Sequence, residues 1–129
     1  MRAVAPYLWV GIGGFVGANA RYVAANFARW LLGVGFPFGT FFINVSGSFA
    51  LGVILTVLAS RVVPYSNEIR LATAVGFLGA YTTFSTFEYE CHTLLDDGEW
   101  LFAALNMFGS LLLGLLAVRV GILAAKHWM

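Results

Sequence analysis

Twenty consecutive residues, Thr40 to Ala59 (TFFINVSGSFALGVILTVLA), carry no charge at all. A helix of that length rises about 30 Å, the thickness of the hydrocarbon core of a bilayer. The remainder of the chain is of the same kind, with 60% of 129 residues hydrophobic and 10% charged, where soluble domains have about a quarter charged. A water-exposed globule of this size buries only about 60–70% of its surface, and this chain has too few polar residues to cover the rest. A membrane must therefore be the solvent. At about 20 residues per span, the length allows four spans and no sizeable soluble domain.

Read along the chain, the expectation is one all-α integral membrane domain, residues 1–129, with spans at about 6–27, 40–59, 71–95 and 100–125. The first is apolar and laced with glycine, and it has no small-residue cleavage site, so it reads as a retained helix rather than a signal peptide. Arg29, Trp30 and the stretch Gly33 to Gly39 form the first loop, because proline and closely spaced glycines break helices. Ser60 to Arg70 is the second connection, with Pro64 and Asn67 as breakers, and the acidic turn Asp96-Asp97-Gly98-Glu99 is the third. A net charge of +1 offers no basic field for nucleic acid. The lone Cys91 can form neither an intramolecular disulfide nor a thiol pair for a metal.

Polar backbone inside a bilayer must pair internally, so each span should be helical unless a break is shielded by protein or faces water. The third segment contains such a break. Its centre, Gly76-Phe77-Leu78-Gly79-Ala80-Tyr81-Thr82-Thr83-Phe84-Ser85-Thr86-Phe87, combines two glycines, β-branched threonines and two spaced phenylalanines at mid-membrane depth. An interrupted helix there frees carbonyls inside the protein, the usual raw material of a cation site.

Several side chains carry two readings each. Asn44 and Ser48 are four apart and share a helix face with Phe41; they offer donors to an anion, or they glue helices together. Phe84 and Phe87 share a face, and the positive edges of their rings suit an anion, although packing is the alternative. Glu88 and His92 have the spacing of two metal ligands but no third ligand beside them; Glu88 and Glu90 can otherwise relay protons or sit in a solvated vestibule. Arg21, costly in a bilayer, either draws anions into a wet vestibule or snorkels. Asn106 and Ser110 form a short polar stripe on the fourth span. Gly11-Ile-Gly13-Gly14-Phe-Val-Gly17 has the letters of a dinucleotide fingerprint but neither the preceding strand nor the later acid; Gly13 and Gly17 instead allow close helix approach. No nucleophile, base and orienting group fall together, so an enzyme is not expected.

An even number of spans puts both termini on one side, with Arg2, Arg61, Arg70, Arg119 and Lys126 against Arg21 and Arg29 opposite. The positive-inside rule then places the termini in the cytoplasm.

Gly14-Phe-Val-Gly17-Ala18 with Arg21-Tyr22, Gly39-Thr40 with Asn44 and Gly47, Gly76-Phe77-Leu78-Gly79 leading into Thr82-Thr83-Phe84-Ser85-Thr86-Phe87, and Gly109 to Leu112 together resemble the Fluc (CrcB) fluoride channel family over nearly the whole chain. The resemblance implies a four-helix subunit in an antiparallel, dual-topology homodimer of the inner (plasma) membrane, exporting fluoride passively from the cytoplasm. It implies that Phe84, Phe87 and Asn44 line a pore, that Ser110 and Asn106 belong to a polar track, and that the backbone carbonyls of Gly79 and Thr82 hold a structural sodium ion at the dimer interface. Asn106 stands where the family often has a serine. Arg21 and Glu90 match charged family positions. Dual topology implies balanced Lys and Arg, with which the charge bias above is discordant. The alternative is a small proton-coupled exporter of the multidrug-resistance type, which needs a carboxylate in its first helix; this first helix has none. A membrane scaffold would need packing glycines but no polar stripes.

Overall fold

The computed structural model describes residues 2–129 and is helical along nearly all of that length. Helix α1 spans Ala5–Leu32 and α2 spans Phe38–Ser60. A segmented helix follows: α3 (Ser66–Arg70), a π-helical stretch Leu71–Leu78, α4 (Gly79–Tyr81) and, after an interruption, α5 (Phe84–Asp96). Helix α6, Trp100–Trp128, comes last.

Three boundaries differ from the sequence reading. Arg29 and Trp30 belong to the last turns of α1 and not to a loop, because the helix continues until Gly33 adopts a positive φ of 78° and its amide closes on the Arg29 carbonyl. A drop in hydropathy marks where a helix leaves lipid, whereas the stop is set by the glycine. Asn67 is no breaker either: the turn is made by Tyr65 in the left-handed conformation (φ 56°), and α3 starts directly after it. The fourth helix runs past Ala125 to Trp128, carrying Lys126 and His127 in its last turn, where cations suit the helix dipole.

Two helices, α2 and α6, are long and apolar enough to cross a membrane, with mean hydropathies of 2.0 and 2.1. Their apolar windows are only 17% and 11% buried, whereas the core helix of a soluble protein would be mostly covered. The buried apolar side chains are few and mostly small: Ala28, Ile43, Leu78, Cys91, Leu94, Ala103 and Ala125. Large side chains such as Phe15, Trp30, Phe108 and Leu111 lie outward, as they do when lipid is the solvent.

Without a hydrophobic drive between helices in lipid, close backbone approach supplies the cohesion. The most extensive contacts join α2 to α6 and α1 to the π-helical stretch. A Cβ on Gly13 would overlap the Ala72 carbonyl, one on Gly17 the Phe77 carbonyl, and one on Gly76 the Val10 carbonyl. These glycines are therefore packing glycines, at which α1 and the segment leading into the break approach backbone to backbone.

Candidate functional site

Thr82 and Thr83 interrupt the third helix. Both are extended, with φ/ψ of −81°/158° and −151°/120°, so the helical ladder cannot cross them. In a continuous helix the Thr83 amide would close on the Gly79 carbonyl and the Thr86 amide on the Thr82 carbonyl. Here the Thr83 amide donates to Asn44 Oδ1 at 2.9 Å, and the Thr86 amide donates to Thr83 Oγ1 at 3.3 Å, capping α5. The carbonyls of Gly79 and Thr82 have thus both lost their helical donors. The Leu78 carbonyl is served twice, by the Thr82 amide at 3.0 Å and by Thr82 Oγ1 at 2.9 Å.

Helix α2 holds the break in place. Asn44 Nδ2 donates to the Thr83 carbonyl at 3.0 Å, so one side chain pairs both polar groups of Thr83. Its NH₂ has a second N–H free of that bond. Gly47 is buried because the Thr82 methyl and the Tyr81 ring occupy the space a side chain would need. Asn44, Ser48, Gly79, Thr82, Thr83 and Phe84 line one cleft of about 300 Å³.

A second cavity, of about 340 Å³, is lined by Arg21, Arg29, Thr40, Thr83, Thr86 and Glu90 among others. Thr83 borders both spaces. Thr40 Oγ1 donates to Glu90 Oε1 at 2.7 Å, while Glu90 Oε2 and Arg21 Nε are buried without a hydrogen-bond partner among the described residues. Polar atoms of both signs with spare bonding capacity therefore border this cavity, which argues for a wet one. Toward the α1–α2 loop it meets a wider opening of about 530 Å³ that shares Arg29, Thr40 and Glu90 and adds Asp97 and Glu99.

The remaining polar stripe is internally bonded. Asn106, 1% exposed, donates from Nδ2 to Cys91 Sγ at 3.2 Å, and Ser110 Oγ donates to Asn106 Oδ1 at 3.2 Å. A Ser110 hydroxyl serving an anion must turn away from Asn106, since it has a single proton. The rings of Phe84 and Phe87 lie 6.0 Å apart at 46°, and Phe84 is exposed.

Within the chain the expected residues thus fall into three groups: Asn44, Gly79, Thr82 and Phe84 around the break, with Phe87 against Phe84; Arg21 with Glu90 around the second cavity; and Asn106 with Ser110 against Cys91. Of the Glu88–His92 pair, His92 lies 3.2 Å from Asp96 on the surface. No cluster of three or more His, Cys, Asp and Glu able to hold a metal forms among the described residues. Thr40 and Cys91 are site neighbours that sequence reasoning did not assign; their partners lie 50 and 15 residues away, beyond any local spacing rule.

Comparison with known proteins places the chain in a family. The family described as "CrcB-like protein, Camphor Resistance (CrcB)" matches residues 8–122. Among similar proteins, one of Acidobacterium capsulatum is 49% identical over 121 residues, covering 94% of this chain and 96% of the relative. One of Chlorobium phaeobacteroides is 45% identical over 126 residues, with 96% and 95% covered, and one of Geobacter sulfurreducens is 44% identical over 120 residues, with 93% and 96% covered. All three are named fluoride-specific ion channel FluC. By the extent and identity of these matches, the chain belongs to the CrcB family of membrane proteins.

Proposed function

We propose that the protein is a fluoride-selective channel, and not an enzyme, that lets fluoride leave the cytoplasm passively. The observation that carries the reading is near-full-length identity of 49% to a fluoride-specific ion channel, joined to a broken third helix whose Thr83 amide and carbonyl pair with Asn44 of α2. Fluoride is small and strongly hydrated, so a conducting path must replace its water with donors and positive ring edges. Asn44 offers its second N–H, Ser110 a rotatable O–H, Asn106 the other half of that track, and Phe84 and Phe87 their ring edges. Larger halides gain less from such a lining. Arg21 and Glu90 border the wet cavity from which an anion would approach.

The assembly in this proposal is an antiparallel, dual-topology homodimer, four spans per subunit as one membrane domain, multi-pass in the inner (plasma) membrane. The thin core and outward apolar faces of the single chain support a partner surface as well as lipid. The three separate groups of polar residues support a path completed by two copies.

The freed carbonyls of Gly79 and Thr82 fit a sodium ion chemically, as hard oxygen donors without helical partners. These residues would hold it, and it would supply positive charge to neutralise the carbonyl dipoles at mid-depth. Asn44 and Thr83 keep the backbone open around them.

Fluoride efflux from liposomes containing the purified protein, read with a fluoride electrode beside a chloride control, tests the reading. Rapid fluoride release without chloride release is expected. No release from verified dimers overturns it.

A further inference from the structure

A second contact holds the break, apart from the proposed pore lining. Tyr81, the last helical residue before Thr82, reaches α2 through its hydroxyl, 3.0 Å from Ser46 Oγ. The direction of that bond follows from proton counting. Ser46 Oγ donates its one proton to the Ile43 carbonyl at 3.1 Å, so Tyr81 is the donor and Ser46 Oγ the acceptor. The Tyr81 ring is steadied on its other side by Phe77, stacked at 5.7 Å and 13°, and its edge lies against Gly47. Both hydroxyls border a groove otherwise walled by apolar side chains, including Phe49, Leu113 and Leu116.

Asn44, Ser46 and Gly47 thus each hold one residue of the run Tyr81-Thr82-Thr83. Asn44 fixes the far side of the Thr82 carbonyl through Thr83. On the near side, where the Gly79 carbonyl must be kept at a fixed distance from its neighbour, the tie to α2 is Tyr81 with its Ser46 bond. We infer that Tyr81 is a positioning residue that, through Ser46, sets the spacing of the Gly79 and Thr82 carbonyls and hence their affinity for a sodium ion. This inference rests on the proposed sodium site.

The test uses dimers of Tyr81→Phe, Ser46→Ala, the double variant and Ser46→Thr, melted in detergent while sodium is titrated against N-methylglucamine at constant ionic strength. A ligand that binds only the folded state raises the melting temperature with its concentration. Tyr81→Phe keeps the ring and its stacking, and Ser46→Thr keeps the acceptor. The sodium midpoint is expected to rise about tenfold in Tyr81→Phe and in Ser46→Ala, no further in the double variant, and not at all in Ser46→Thr. Fluoride efflux of the two single variants should recover at saturating sodium. Wild-type melting that depends on sodium, with an unchanged midpoint in the variants, overturns the positioning role and leaves the sodium site standing. Uniformly lower melting at every sodium concentration, with the midpoint unmoved, likewise overturns it in favour of plain packing. Wild-type melting indifferent to sodium removes the sodium site and this inference with it.

Discussion

Asn44 pairs with both polar groups of a single residue 39 positions away, accepting from the Thr83 amide at 2.9 Å and donating to its carbonyl at 3.0 Å. A side-chain amide has the same donor and acceptor as a peptide group, so Asn44 stands in for the missing turn of helix. Truncation to alanine leaves two part-buried backbone groups unpaired, at about 1–3 kcal/mol each. Asn44→Ala is therefore expected to melt well below the wild type and to lose fluoride efflux. Asn44→Asp keeps the acceptor but turns a carboxylate toward the Thr83 carbonyl; it should assemble and still conduct poorly. Wild-type efflux from either variant would return Asn44 to a packing role alone.

Phe84 is 74% exposed on the isolated chain although it lies beside the break. Isoleucine at Phe84 or Phe87 retains bulk and removes the positive ring edge. Either variant should assemble normally by size-exclusion chromatography and release fluoride from liposomes more slowly, by about tenfold or more if the edges contribute about 1.4 kcal/mol. Equal efflux rates would assign both rings to packing.

The interface between α1 and the π-helical stretch is backbone on backbone. An alanine at Gly17 would meet the Phe77 carbonyl, whereas one at Gly11 meets nothing within 4 Å. Gly17→Ala is expected to cost about 1–3 kcal/mol or more, the range for overpacking, and Gly11→Ala to stay within about 1 kcal/mol of wild type. Thermal melting of the purified variants measures both. Similar melting of the two would refute the close approach.

On α6, Asn106 serves Cys91 and Ser110 together. Asn106→Ala opens a cavity and strands Ser110, with an expected loss of about 1–3 kcal/mol. Asn106→Leu refills the volume, so its stability should recover in part while its fluoride efflux does not. Denaturant unfolding alongside efflux separates the two effects; recovery of both in Asn106→Leu would make the stripe structural only.

Much of this architecture is legible in the chain because lipid imposes simple rules. An uncharged stretch such as Thr40 to Ala59 has few folded outcomes, and Gly79 with two threonines at mid-depth marks a break by residue type alone. Gly13 and Gly17 announce a close approach but not its partner, since the carbonyls of Ala72 and Phe77 leave no trace in composition. The end of α1 is hidden for a related reason: Arg29 and Trp30 suit the membrane edge, yet helices continue through that edge until a residue such as Gly33 stops them. Pairings such as Thr40 with Glu90 or Tyr81 with Ser46 depend on how whole helices lean on one another. No periodicity within either segment encodes that.

The π-helical stretch Leu71–Leu78 sets where the break points. Its hydrogen bonds reach one residue farther than those of an α-helix, so the turn holds an extra residue and the faces above and below it are offset by about 100°, the rotation of one residue. Gly76 faces α1 and Thr82 faces α2. Deleting one residue between Leu71 and Leu78 would yield a more regular helix with the same hydropathy. It would also swing the break out of reach of Asn44. At this place the number of residues, more than their identity, sets the register of the site.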